Sequence, residues 1–332
     1  MTITVRSFAK INLGLRIGAR REDGFHELLT VYQTIALHDM IRVSVGRGSG
    51  IEIQCSDARV PKDASNTCYR IVEKTMRALR ANGRVTVEIE KRLPVQGGLG
   101  GASANAVAAL LGLERALKRS LAAEDRLRIA AEVGSDVPLF LVGGTVLGVG
   151  RGEQVHPLED LPATACVVVT PEVGVSTPNA FGEWDRRTGG AGAALAKSGA
   201  AKLTVAGASD RMVELGRELS AWLSESYSGA PRQKFRRGRA ENPLLELVRA
   251  GIKNDFEEVV FPEYPELSKG KSALERAGAK YASLSGSGSA LYGLFASKEA
   301  ARSAGERLQR QGWAAQATAT LTRREYWKRI FD

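Results

Sequence analysis

Four glycines fall within five residues at Gly97-Gly98-Leu99-Gly100-Gly101, with Pro94 three positions before them and Ser103 two after. Glycine lets backbone N–H groups turn inward and lets a phosphate approach the chain closely. Val107, Leu110, Leu111 and Leu117 then fall on one helical stripe. Segment 94–104 therefore feeds a helix N-terminus, where unpaired N–H groups and the helix dipole attract anions. The loop lacks the Gly-Lys-Ser/Thr of a P-loop, and Ser103 stands where a dinucleotide fingerprint has its last glycine. A bare strand-to-helix turn would need fewer glycines, so the density favours a phosphate site. Asp136, in Gly134-Ser135-Asp136-Val137-Pro138, fits a general base, but local spacing fits a helix N-cap more simply. Lys10 lies in the strand-like Phe8-Ala9-Lys10-Ile11-Asn12. It reads as a solvated face residue, or as a cation clamping a phosphate. Phe25-His26, after the turn Asp23-Gly24, could present a ring face and a ring nitrogen to a base or sugar. Ser285-Gly286-Ser287-Gly288, between two apolar runs, reads equally as a turn or an anion site.

The elements that must hold these residues follow from periodicity. Residues 2–17 alternate as a half-buried strand or hairpin, and Thr30 to Val45 continues as strand. The spacing predicts a helix over Asn66–Leu79, a turn at Asn82-Gly83 and a strand through Val85, Val87 and Ile89. A helix follows the glycine loop, and another runs from about Ala123 to Val133. Asp136 to Gly152 reads as a short apolar element followed by glycine-rich turns. Ala165–Val169 is a strongly apolar strand, and the domain boundary is expected just before it, giving domains 1–160 and 161–332. Residues 186–240 read as a variable insert around a helix at 210–224. Two further helices are expected after 241, then strand–loop–strand over Lys280–Phe295, a helix and a last strand at Ala315–Thr322.

Composition sets the outer limits. The chain has 332 residues, 43% hydrophobic and 25% charged, which fits a folded globular protein rather than a disordered one. A net charge of +10 favours anionic partners. Aromatics at 6% argue against a nucleic-acid stacking platform, and the basic run at 232–239 has only Phe235 among its charges, so nucleic acid is an unlikely partner. The cysteines Cys55, Cys68 and Cys166 form no paired motif, and His26, His38 and His156 no ligand cluster. That disfavours disulfides and structural zinc. Neither a signal peptide nor a membrane span is expected, which points to a cytoplasmic enzyme, monomeric or homodimeric.

Taken together, the 94–106 loop, Ala9-Lys10-Ile11-Asn12-Leu13, Arg21-x-Asp23-Gly24-Phe25-His26-Glu27-Leu28 and Asp136-Val137-Pro138-x-Phe140 resemble the GHMP kinases. Gly143-Gly144-Thr145 and Gly150-Arg151-Gly152-Glu153 extend the resemblance, which covers about 1–182 and 241–295 in order. It implies a two-domain α/β (α+β) GHMP kinase fold, the N-terminal half like the second domain of ribosomal protein S5 and the C-terminal half ferredoxin-like. It implies ATP-dependent phosphorylation of a 2-hydroxyl on a cytidine diphosphate-linked methylerythritol, in isoprenoid precursor synthesis. Lys10 and Asp136 match the family's catalytic pair. Pro94, Val95, Gln96, Gly97, Gly98, Leu99, Gly100, Gly101, Ala102, Ser103 and Ala104 match its ATP loop, and Asn66 a further nucleotide contact. Asn12, Phe25, His26, Thr177 and Phe181 match substrate positions, Phe25 and Phe181 as the two faces around a cytosine. Mg²⁺ is implied, with Ser103 a candidate ligand. Ala104 departs from the serine often found there, and Ser289 from the proline that often follows the last loop glycine, Gly288. Two other readings remain at this stage: a kinase for a mevalonate- or homoserine-like substrate, and a non-catalytic nucleic-acid-associated protein on the same fold.

Overall fold

A computed structural model describes residues 1–188 and 252–331. The helix expected at 210–224, the basic run at 232–239 and the start of the helical region after 241 lie outside these residues. Residues 186–188, expected in the variable insert, are instead the last turn of a helix.

Two very long antiparallel strands, β1 (Thr2–Arg20) and β2 (His26–Gly46), form the spine. β1 covers one edge of β2. The other edge is shared by β4 (Arg84–Glu90), opposite Met40–Gly46, and β5 (Thr145–Val149), opposite Thr30–Gln33. β3 (Gly50–Cys55) adds parallel to β4, and β6 (Gln154–Pro157) antiparallel to β5. The glycine-rich stretch after Asp136 is thus a hairpin, not only turns. The helices α1 (Thr67–Ala78), α2 (Gly101–Leu117) and α3 (Ala123–Val133) pack with this sheet around Val5, Ile41, Val43, Val87, Val107 and Leu110.

The second sheet has the order β10–β7–β9–β8, from β7 (Ala165–Val169), β8 (Tyr281–Leu284), β9 (Leu291–Phe295) and β10 (Ala315–Ala319). With α4 (Thr177–Thr188), α5 (Glu257–Glu263) and α6 (Pro265–Arg276) between β7 and β8, and α7 (Lys298–Arg310) between β9 and β10, this is a ferredoxin-like arrangement. Val167 and Val169 face a core with Leu274 and Leu308. Cys166 and Val168 face a different core with Ile11, Leu13 and Val31 of the first sheet. A strand covered on both faces loses the period of two, which is why Ala165–Val169 reads as an unbroken apolar run.

The chain end returns to the first sheet. α8 (Arg323–Arg329) opens with a capping box from Thr322 and Glu325. Its Tyr326 is buried in the first core and donates from its hydroxyl to the Phe140 carbonyl at 2.6 Å. All three cysteines are buried and free, and burial pushes the Cys68 and Cys166 thiols up to about 12. Cys68 and Cys166 are therefore core residues held as thiols. No group of three or more His, Cys, Asp or Glu able to hold a metal occurs among the described residues. No helix there is long and apolar enough to cross a membrane.

Candidate active site

The pairing of β1 with β2 slips between Phe8 and Lys10 and again between Asn12 and Gly14. Such bulges re-aim side chains. Lys10 and Asn12, two residues apart on a strand, share a face. Lys10 is 3% exposed, so the solvated-strand reading of this lysine fails. Its Nζ donates to Asn12 Oδ1 at 2.6 Å, and Asn12 Nδ2 donates to Thr30 Oγ1 at 2.8 Å. Its backbone N–H donates to the Leu99 carbonyl at 3.0 Å, tying the strand to the glycine loop.

Asp136 lies on the turn between α3 and a short 3₁₀ segment, Pro138–Leu141, which has no side-chain cap. The capping role suggested by its neighbours is therefore absent. Instead Asp136 Oδ2 is 3.5 Å from Lys10 Nζ, and Asp136 Oδ1 accepts from the Tyr32 hydroxyl at 2.9 Å. The Asp136 side chain is one-third exposed, while Lys10 beneath it is enclosed. Burial lowers the Lys10 pKa, and the neighbouring Asp136 carboxylate opposes that shift. The result is a buried cation beside a carboxylate that solvent or a substrate can reach.

Two glycine-rich loops meet beside Lys10. Val95 and Gln96 turn the chain after Pro94, with Gln96 at φ 60°. Gly98 has φ +74°, and a Cβ there would lie 2.2 Å from the Ser285 carbonyl oxygen and 2.8 Å from that of Gly288. The second loop is bound back to the first: Ser285 Oγ donates to the Gly98 carbonyl and the Ala290 N–H to the Gly97 carbonyl, each at 3.0 Å. A Cβ at Gly286 would lie 3.4 Å from both Lys10 Nζ and Asn12 Oδ1, so this loop reaches Lys10 and Asn12. The segment Ser285–Gly288 thus forms part of the site's wall. Gly98→Ala is expected to raise the KM for ATP, the ligand that the resemblance implies for this loop, about tenfold or more, the scale of one lost charge-assisted hydrogen bond. Backbone strain of roughly 1–3 kcal/mol should lower the melting temperature as well. Gly101→Ala, where a Cβ meets nothing nearer than 3.5 Å, is the control. Equal behaviour of the two variants would show that the loop contact is dispensable.

α2 begins at Gly101 with Gly100 as its N-cap and no side-chain cap bond, and Ala102 and Ser103 are accessible in its first turn. Its first N–H groups are therefore presented outward rather than consumed by a capping side chain. Ala104 is buried in the first core. A side chain there lies in that core, so the missing hydroxyl removes no group from the loop's surface. Asn66 caps α1: its Oδ1 accepts from the Cys68 N–H at 2.8 Å, and its Nδ2 donates to the Pro61 carbonyl at 2.6 Å. The neighbouring Thr67 donates to the Ala102 carbonyl at 2.7 Å. α1 thus abuts the loop through Thr67, while the Asn66 side chain is spent on the helix cap.

Phe25 sits at the β1–β2 tip, 52% exposed, with the Arg151 guanidinium 4.9 Å from its ring centroid. His26 is buried and stacks on Phe181 with centroids 4.9 Å apart and planes 7° apart. Its Nε2 lies 2.7 Å from Asp185 Oδ1. Phe181 also meets Phe256 edge-on at 4.9 Å. The structure therefore brings His26 and Phe181 together and leaves Phe25 presenting an open face. Thr177, at the start of α4, is 2.7 Å from Ser287 Oγ, linking this aromatic group to the second loop. Sequence reasoning placed Arg151 in a motif without a partner and missed Tyr32, Thr67 and Asp185. A tyrosine in an apolar alternating strand, or polar residues at a helix start and within a helix, carry no local mark of their partners.

The chain matches the model for the GHMP kinases N terminal domain over residues 66–144 and that for the GHMP kinases C terminal over 235–314. It is 38% identical over 296 residues to a 4-diphosphocytidyl-2-C-methyl-D-erythritol kinase of Solibacter usitatus, covering 89% of this chain and 82% of that one. The chain belongs to the 4-diphosphocytidyl-2-C-methyl-D-erythritol kinase family. A family member from Synechococcus elongatus is 33% identical, with 93% of this chain and 91% of that one aligned. A crystal structure of 4-(cytidine 5'-diphospho)-2C-methyl-D-erythritol kinase superposes with a TM-score of 0.69 at 29% identity, over 96% of this chain and 99% of that one. The GHMP kinase fold expected from the sequence is the fold observed.

Proposed function

We propose that this chain transfers the γ-phosphoryl group of ATP to the 2-hydroxyl of 4-diphosphocytidyl-2-C-methyl-D-erythritol, a step in isoprenoid precursor synthesis. The observation that carries this reading is the Lys10–Asp136 pair at the point where the two glycine loops meet. Phosphoryl transfer needs positioning and charge neutralisation more than covalent help from the protein. The loop over residues 94–104 and the uncapped start of α2 hold the ATP phosphates. Asp136 orients the acceptor hydroxyl and takes its proton as the new O–P bond forms. The bond from the γ-phosphorus to the bridging oxygen breaks, and ADP leaves with that electron pair. Lys10, fixed by Asn12, keeps a positive charge beside the developing negative charge.

Mg²⁺ would neutralise phosphate charge. This ion keeps much of its shell as water and phosphate oxygen, so a site with one accessible hydroxyl, Ser103, is compatible with it. The cytidine is held by the open face of Phe25 and by the His26–Phe181 stack, with Thr177 and Asn12 nearer the transferred group. The reading carries with it a cytoplasmic location and small-molecule partners.

Phe181→Ala is expected to raise the KM for the cytidine substrate about tenfold, on the scale of 1–3 kcal/mol for base stacking. The KM for ATP should stay within about twofold. The effect arises partly through His26, which loses the ring it stacks on. Equal loss for both nucleotides would remove the aromatic group from base recognition.

The deciding test is ADP release with MgATP and 4-diphosphocytidyl-2-C-methyl-D-erythritol, run beside mevalonate and homoserine. Turnover with the cytidine substrate alone is expected. Turnover with mevalonate or homoserine in its place would keep the Lys10–Asp136 chemistry and overturn the substrate.

A further inference from the structure

Tyr32 is 2% exposed in the middle of β2, directly across from Asn12 on β1 and from Val146 on β5. Its ring is among the largest enclosed side chains, yet its hydroxyl ends at Asp136 Oδ1, 2.9 Å away. Burial and the nearby Asp136 carboxylate raise its pKa well above the usual tyrosine value, so it stays protonated and donates. The surrounding chain is shaped for the ring. A Cβ at Gly148 would lie 2.5 Å from Tyr32 Cε2, and one at Gly152 would lie 2.4 Å from Tyr32 Oη. Two glycines of the β5–β6 hairpin are therefore needed to let this tyrosine reach the carboxylate. Lys10 Nζ lies 5.7 Å from the centroid of the same ring, so Tyr32 also walls the far side of the buried ammonium.

We propose that Tyr32 is a positioning residue for the reaction, its hydroxyl fixing the Asp136 carboxylate so that Oδ2 faces Lys10 and the acceptor hydroxyl. This rests on the reading of Asp136 as the proton acceptor. Asp136 sits on a turn with a third of its side chain exposed, and its contact with Lys10 is long at 3.5 Å. The short bond to Tyr32 is the one that pins it. The enclosed donor acts through Asp136. A displacement of about 1 Å at such a base can cost two orders of magnitude in rate.

The test is a cycle of Tyr32→Phe, Asp136→Asn and the double variant, with kcat and both KM values measured for each. Tyr32→Phe keeps the ring in its slot, and water can reach Asp136, so the melting temperature should hold. Its kcat is expected to fall about tenfold, the loss carried by a hydrogen bond to a charged group, with both KM values within about twofold. In the Asp136→Asn background the same change should cost nothing more, because its target has gone. Three results would overturn the proposal. Wild-type kcat in Tyr32→Phe alongside a disabled Asp136→Asn would leave Asp136 as the base and remove Tyr32. A tenfold loss that persists undiminished in the double variant would make Tyr32 a packing residue. Wild-type turnover in Asp136→Asn would overturn the reading beneath the proposal, and the proposal with it.

Discussion

Asp136→Ala is expected to lower kcat by roughly 10²–10⁴, the range that a positioned general base contributes. The KM values for ATP and for the cytidine substrate should move by less than about threefold, because the groups assigned to binding lie elsewhere. The phosphate loop is held by its bonds to Ser285 and Ala290, and the aromatic group by His26, Phe181 and Phe256. Removing the carboxylate leaves Lys10 bonded to Asn12, so the buried ammonium keeps its place. A rise in KM at constant kcat would make Asp136 a binding residue. Unchanged kinetics would remove it from the mechanism altogether.

The chemistry was more legible than its geometry. The glycine loop and the helix behind it stand out by composition alone, and the structure puts them together at the start of α2. Lys10 and Asp136 each had an ordinary local explanation, as a solvated strand residue and as a helix cap. Both explanations fail for tertiary reasons. β1 is enclosed between α2 on one side and the second sheet on the other, so no face of Lys10 is left for solvent. The segment after Asp136 is a 3₁₀ turn whose start takes no side-chain cap. Neither fact is encoded within a few residues of either position. Long-range partners explain the other omissions as well. Tyr32 meets Asp136 across more than a hundred residues, and His26 meets Phe181 and Asp185 across a similar gap. The return of Tyr326 to the first core depends on α8, whose seven residues are too few to show a helical period. Strand positions were easier, because burial on one face leaves an alternating trace, and harder where both faces are covered, as in β7.

Lys10→Met should separate stability from activity. The folded protein holds the Lys10 pKa below its ordinary value, and burial is the largest cause. Folding therefore disfavours the charged form. That penalty is present in full below the folded-state pKa and fades as pH rises toward 10.5, where the unfolded chain would lose its proton too. Methionine fills a similar volume without the charge. It leaves the Asn12 amide oxygen without its lysine donor, a cost of about 1–3 kcal/mol. Against this stands the effective penalty of several kcal/mol for enclosing an ion. The second effect is the larger, so the melting temperature at neutral pH should hold or rise. Any gain over the parent should shrink as pH approaches 10.5. Turnover should fall by about 10²–10³, the loss typical when a preorganised group facing developing charge is removed. A variant that melts well below the parent at neutral pH would make Lys10 a structural strut, whatever its rate. One that keeps its rate would deny the buried cation a part in the transfer. A stable and inactive protein is the outcome that identifies Lys10 as a residue the fold retains at its own expense, for the charge it places beside Asp136.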